Sequence, residues 1–311
     1  MNRRKFLYRG TGLAVGGLLL NSMPVKVFGA ATTPDIVKIK SKDYYKATAR
    51  AIEELGGITR FVKQGDKVGL LINSAFDEPG TYPNPDVPLA VLSMCREEGA
   101  KELIMLQPVA DTYWQRSLKY EDHKKITGDL VQIESNVFPA TFNEDDFEIR
   151  PSIDGATVLK DLEIIKKIRE VDVFINIPIL KHHPTTLLTG ALKNMMGLNT
   201  RKSNVNFHLG SGKRNDPEYI AQCIAELNLV RKPDLVVADA IEFIVDNGPA
   251  GPGTMKRMDL VVAATDPVAV DAFGATCLDA TADDVLSVVK AYDLGLGEKD
   301  LMKLSIVEYE L

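Results

Sequence analysis

The sequence predicts an α/β fold, a doubly wound, mostly parallel sheet with helices on both faces. Two observations carry this. Strand-like apolar runs alternate with helix-period segments along most of the chain, as in successive βαβ units. Residues 171–177 are an almost unbroken apolar run, the pattern of a strand covered on both faces of a parallel sheet. In order, residues 36–40 read as a strand, 43–55 as a helix and 67–72 as a strand. A helix over 87–98 starts near Asp86, and a strand follows over 102–106. Residues 111–155 are less regular and are expected to hold an insertion or small subdomain. Beyond the 171–177 strand come a helix at 217–230, a strand at 235–238, a glycine-proline loop and a strand at 259–264. Helices over 267–277 and 283–292 and a strand over 304–307 finish the chain. No internal repeat or low-complexity segment is visible.

The first 31 residues read separately. Arg3, Arg4 and Lys5 precede an uncharged glycine-rich apolar run, 12–20, and then the small residues Gly29, Ala30 and Ala31. That order of basic region, short apolar region and small-residue site resembles a twin-arginine export signal, with cleavage expected after Ala31 or retention as an anchor. The resemblance implies the export machinery as a partner, and the periplasm or cell envelope of a bacterium as the location. The apolar run is about half of what a membrane-spanning helix needs, so no span is expected beyond this segment. Residues 32–311 are then the folded domain.

Charge and cysteine usage exclude several classes. Residues 1–31 hold five basic residues and no acid, so their removal leaves 32 Lys and Arg against 43 Asp and Glu, a net −11. An acidic body of this kind lacks the footprint of a nucleic-acid binder. Cys95, Cys223 and Cys277 are scattered without Cys-x-x-Cys spacing, so the chain has no cysteine motif for an iron–sulfur cluster, and the cofactor stays unknown.

Residues 173–215 contain no Asp or Glu, where about six would be expected at the chain's average density. Six Lys or Arg and three of the four histidines lie there. Lys181-His182-His183-Pro184 follows the buried strand and should emerge at its carboxyl end, where ligands of open α/β sheets bind. Pro184 favours an extended His183, and alternation then puts Lys181 and His183 on one face and His182 on the other. A helix starting at Thr185 or Thr186, with Leu188, Leu192 and Met195 as its apolar stripe, would end at Gly197. It would align Thr189 with Lys193 and Thr186 with Asn194, and its amino end beside Lys181 would suit an anion.

Residues 177–197, Ile-Pro-Ile-Leu-Lys181-His-His183-Pro-Thr-Thr-Leu-Leu-Thr189-Gly190-Ala-Leu-Lys193-Asn194-Met-Met-Gly197, resemble the signature of the domain of unknown function 362 family. Asp239-Ala-Ile-Glu, Asn247-Gly-Pro-x-Gly251-x-Gly253, Ala264-Thr-Asp266-Pro-Val-Ala-Val-Asp271 and Gly295-Leu-Gly297 extend the resemblance over nearly all of residues 32–311. It implies a chemistry that is largely unassigned. Some members carry cysteine clusters and are labelled iron–sulfur proteins; those cysteines are missing here.

Within these stretches Asp239 is expected at a strand end, facing the same sheet edge as Lys181. Asp266-Pro267 reads as a helix start, and Asp271 lies one turn further in, within reach of backbone or ligand. Gly251 lets backbone approach a ligand. Neither a Rossmann fingerprint nor a P-loop is present. Three classes follow. One is an enzyme on a small anionic or carboxylated compound, with Lys181, Lys193, Asn194, Thr189, Gly251, Asp239 and Asp271 around the ligand and His183 or His208 moving a proton. The others are a metal- or iron–sulfur-associated protein, with a metal drawing on His183, His208 and Asp239, and an envelope binding protein without turnover.

Overall fold

A computed structural model describes residues 33–132 and 146–311; the signal-like segment 1–31 and residues 133–145 of the irregular middle lie outside them. Strand β1 (Ile36–Lys40) leads into α1 (Tyr44–Glu54), capped by the Asp43 carboxylate accepting from Lys46 N–H. Then come β2 (Lys67–Ile72), α2 (Asp86–Glu97), β3 (Glu102–Met105) and two short helices, α3 (Asp111–Trp114) and α4 (Tyr120–Gly128). A hairpin of β4 (Phe147–Ser152) and β5 (Lys160–Ile165) precedes β6 (Val173–Ile177). A second small hairpin joins β7 (Lys181–His183) to β8 (Leu187–Thr189), followed by α5 (Ala191–Asn194), α6 (Arg201–Leu209) and α7 (Pro217–Leu227). Long strands β9 (Leu235–Ile244) and β10 (Met255–Ala264), helices α8 (Pro267–Cys277) and α9 (Leu286–Asp293), and β11 (Ile306–Glu310) complete the chain.

The main sheet has seven strands in the order β11-β1-β10-β9-β6-β2-β3. Four of the six neighbouring pairs are parallel. The exceptions both involve β10, which returns from β9 through the glycine-proline loop; so direct a return forces an antiparallel pair. Side chains alternate between two cores. Val68, Leu70, Val173 and Ile175 pack under α1 and α2 with Ala51, Ile52 and Leu89. Phe174, Val236, Ala238 and Val262 pack on the opposite face with Ile220, Ile224, Val268 and Val288 of α7, α8 and α9. The sheet is thus doubly wound and covered on both faces, which explains the unbroken apolar run of β6.

The expected helix from Thr185 to Gly197 is the main local departure. Its first third is the β7–β8 hairpin, where Thr186 Oγ1 donates to Leu188 O at 3.0 Å and Leu187 takes a left-handed φ of 62°. Only one helical turn, α5, remains, followed by a 3-10 turn over Met195–Leu198. The Leu188–Leu192 spacing imitates a helix stripe, but Leu188 is buried from a strand.

Candidate functional site

The chain leaving β2 leads to β3 on one side of the sheet, and the chain leaving β6 leads to β9 on the other. The connections therefore diverge between β2 and β6, and the crevice at their carboxyl ends is the expected place for a ligand. Asn73, one residue past β2, donates its N–H to Ile177 O at the end of β6. Lys181, His183, Thr189 and Lys193 all follow from that same end of β6.

Lys181 is completely buried. Its Nζ donates to Thr81 O at 2.6 Å and Pro249 O at 2.7 Å, and sits 4.6 Å from the centre of the Phe76 ring. An ammonium has three donors, so one remains after the two carbonyls are served. Burial lowers its pKa to about 7, and the neighbouring charge of Lys193 adds to the shift.

The β7–β8 register sets Lys181 opposite Thr189 and His183 opposite Leu187. Thr189 is buried, and its Oγ1 has no hydrogen-bond partner among the described residues. A buried hydroxyl left open in this way costs stability, which marks it as a place for a ligand oxygen. Ser74 Oγ, just past β2, is likewise buried and unpartnered.

His183 is buried and uses Nδ1 to accept from the N–H groups of Thr185 (3.2 Å) and Thr186 (3.3 Å). Both donors aim at Nδ1, so the proton resides on Nε2. Burial pushes its pKa down to about 2, helped by the charge of Lys193 and weaker contributions from His208, His182 and Lys181. His183 is therefore a fixed neutral N–H donor rather than the proton carrier expected from sequence. His182 is partly exposed, and its Nδ1 accepts from Gly248 N–H at 3.2 Å.

Helix α5 is held from outside. The Asp271 carboxylate of α8 accepts from Ala191 N–H at 2.5 Å and Leu192 N–H at 3.0 Å. That carboxylate occupies the amino end of α5, six residues beyond the amino end at Thr185 that was expected to bind an anion, and both its oxygens are engaged in positioning α5. Burial raises its pKa to about 7 against the opposing pull of the two N–H bonds. Gly190 leaves the room, since a Cβ there would collide with the Asp271 carboxylate. Asn194 locks the other end. Its Oδ1 accepts from Asn73 Nδ2 at 2.9 Å, and its Nδ2 donates to Asn176 Oδ1 at 2.7 Å and Leu71 O at 3.1 Å. Asn194 thus ties α5 to β2 and β6 with both ends of its amide and has little left for a ligand.

The side-chain amine of Lys193, between these two anchors, makes no hydrogen bond, ion pair or ring contact with any described residue. It keeps an opening to solvent, yet protein crowds its ammonium and lowers its pKa to about 8 by desolvation. No carboxylate contributes to the shift of either lysine.

The remaining candidates play other parts, and Asp239 is the one next to Lys181, its N–H donating to Pro178 O and its carbonyl accepting from Leu180 N–H. Asp239 is in the middle of β9, which runs on to Ile244, and not at a strand end. Its carboxylate accepts from Asn84 N–H at 2.6 Å and Ile241 N–H at 2.7 Å, and burial raises its pKa to about 7. It organises the 79–84 loop rather than balancing Lys181. His208 sits partly exposed on α6, with Nδ1 3.0 Å from Asn215 Oδ1, in a shallow hollow shared with Val205, Leu209 and Arg214. It influences His183 through its charge alone. Gly251, with φ of 71°, packs the glycine-proline loop against Thr81 and Glu78 and so supports the two carbonyls that hold Lys181. Sequence reasoning missed Asn73, Ser74, Phe76, Asn176 and the Thr81 and Pro249 carbonyls. For residues 73–81 the only signal was indirect, namely that they follow a strand whose carboxyl end lies at the edge where ligands of such sheets bind.

The family model described as Domain of unknown function (DUF362) matches residues 68–276, about two thirds of the chain, from β2 to the end of α8. The chain belongs to this family. All the residues that build the switch-point cluster, from Asn73 to Asp271, fall inside the matched span. A thylakoid-associated protein of the cyanobacterium Synechocystis sp. is 27% identical over 223 residues, which cover 71% of this chain and 65% of that protein. Among solved structures, the lactate racemase apoprotein of Thermoanaerobacterium thermosaccharolyticum superposes with a TM-score of 0.42 at 12% identity, over 66% of this chain and 50% of that one. A Thermotoga maritima protein gives a TM-score of 0.35 at 13% identity, over 63% of this chain and 49% of that one. The chain therefore spans under two thirds of this curated relative and about half of each solved structure. No helix among the described residues is long and apolar enough to cross a membrane.

Proposed function

We propose that this DUF362 protein is an enzyme acting on a small anionic or carboxylated compound in the crevice between β2 and β6. One observation carries the reading: Lys181 and Lys193 share the site, and among the described residues no carboxylate is paired with either. Two desolvated ammonium groups without a counter-ion are costly, and an anion that binds between them removes that cost. Thr189 Oγ1 and the Nε2–H of His183 add neutral partners for its oxygens. With a pKa of about 7, Lys181 can exchange a proton near neutrality, so proton transfer falls to a lysine instead of a histidine.

The metal reading has less support. Among the described residues no three His, Cys, Asp or Glu side chains are grouped to hold a metal ion. The Asp239 oxygens are taken by the N–H groups of Asn84 and Ile241.

Calorimetric titration with oxalate and with inorganic phosphate tests the anion site. Saturable binding is expected, tightest below about pH 7 and weakening as pH rises through about 8. The sign follows from the lysines, which are both charged at the lower pH and lose their protons across that window. Absence of binding, or affinity that rises with pH, would sink the proposal.

We propose further that residues 1–31 act as an export signal and residues 32–311 as the working domain, placing the protein in the cell envelope. The basic–apolar–small order of the segment supports this. A reporter fused to residues 1–31 should be exported, and a paired Arg3→Lys, Arg4→Lys change should abolish export. Unchanged export would contradict the twin-arginine route.

A further inference from the structure

Lys193 differs from every other cation in its neighbourhood. Lys181 is fastened to two carbonyls and an aromatic ring, and Lys202 is paired with Glu163 at 2.6 Å. Lys193 is held in place at its backbone by Asp271 and Asn194 on either side, while its own amine has no partner among the described residues. A lysine used only to attract an anion needs charge; burying it beside a second cation works against that charge. The same surroundings favour a lysine that must be neutral to react, because desolvation releases its proton. The groups around it fit a carbonyl acid. Thr189 Oγ1 is a buried, open hydroxyl, His183 offers an uncharged N–H, and Lys181, fastened by two carbonyls, keeps a third N–H for an acidic group.

We propose that Lys193 is a nucleophile that condenses with a small aldehyde or ketone acid, its acidic group facing Lys181, to form an imine. This rests on the anion-site reading above. The Nζ lone pair forms a bond to the carbonyl carbon as the carbonyl π pair moves onto oxygen, which takes a proton from the nitrogen. The resulting carbinolamine then loses its hydroxyl with the second nitrogen proton as water, and the nitrogen–carbon double bond closes. No oxidant or reductant is consumed. In this proposal the carbinolamine oxygen takes its hydrogen bonds from the open Thr189 hydroxyl and the His183 N–H, and His183, being neutral, does so without quenching the amine.

The test uses the full chain incubated with glyoxylate and cyanoborohydride, followed by intact-mass measurement and peptide mapping. A single adduct on Lys193 is expected, formed at least tenfold faster than on exposed lysines such as Lys213. Oxalate, an anion with no reactive carbonyl, should protect it. Lys193→Met should lose the adduct while keeping its melting transition, and if that variant fails to fold, oxalate protection in the unaltered protein still decides. Adducts spread evenly over surface lysines would overturn the proposal. Oxalate binding with no adduct would overturn the imine and leave the anion site standing. Neither binding nor adduct would remove both.

Discussion

Gly190→Ala is expected to destabilise the protein by about 3–5 kcal/mol and to abolish anion binding. The cause is space and not backbone strain. Gly190 has an extended φ of −150°, which any residue can adopt, but its missing Cβ is where the Asp271 carboxylate sits. An added methyl displaces the carboxylate and loses two charge-assisted bonds to Ala191 and Leu192, worth roughly 1.5–3 kcal/mol each, on top of overpacking. Urea denaturation measures the loss. The double variant Gly190→Ala, Asp271→Ala checks the mechanism. Its cost should fall clearly short of the sum of the two singles, because the second change removes the clash. Full additivity would mean that the two residues do not share one contact.

Lys193→Met is expected to act in two opposite directions. Oxalate or phosphate affinity should fall by about 100-fold as the unpaired cation disappears, while the ligand-free protein gains roughly 1–3 kcal/mol of stability. The gain should depend on pH. The folded-state pKa of Lys193 is lowered to about 8 from the ordinary 10.5, so the unfolded chain holds a proton between these values that the folded chain has released. The stability difference between variant and parent is therefore full below about pH 8 and fades towards 10.5. Denaturation curves at pH 7 and 10 read this directly. A variant that loses stability at pH 7 would show that Lys193 is structural. The expected pattern is the trade of stability for a charged site.

The sheet and its winding were legible from the 171–177 run and the strand–helix alternation, because burial on both faces leaves a pattern in local sequence. That Lys181, His183, Thr189 and Lys193 follow one strand end was legible too, since they lie within thirteen residues of each other in the chain. What local pattern could not supply was the use of each group. The Leu188–Leu192 spacing suits a helix as well as a hairpin followed by a turn, so α5 was expected six residues too early. The roles of Asp271 and Asn194 depend on partners far along the chain, Ala191 in one case and Asn73 and Leu71 in the other. Neither could be told from a ligand group by residue type. His183 was expected to titrate because histidine ordinarily does; two backbone N–H groups and burial decide otherwise.

The Asn73–Asn194–Asn176 amide chain has a kinetic meaning. It closes only when the ends of β2 and β6 and the single turn of α5 have all arrived, and Asp271 must also come in from α8, packed on the same face of the sheet as α5. These pieces are separated by as many as two hundred positions, so the pocket cannot pre-form in any fragment of the chain. In hydrogen-exchange experiments the Ala191 and Leu192 amides should open together with Asn194, as one cooperative unit. A bound anion should slow that unit while leaving the outer edge at β11 unchanged.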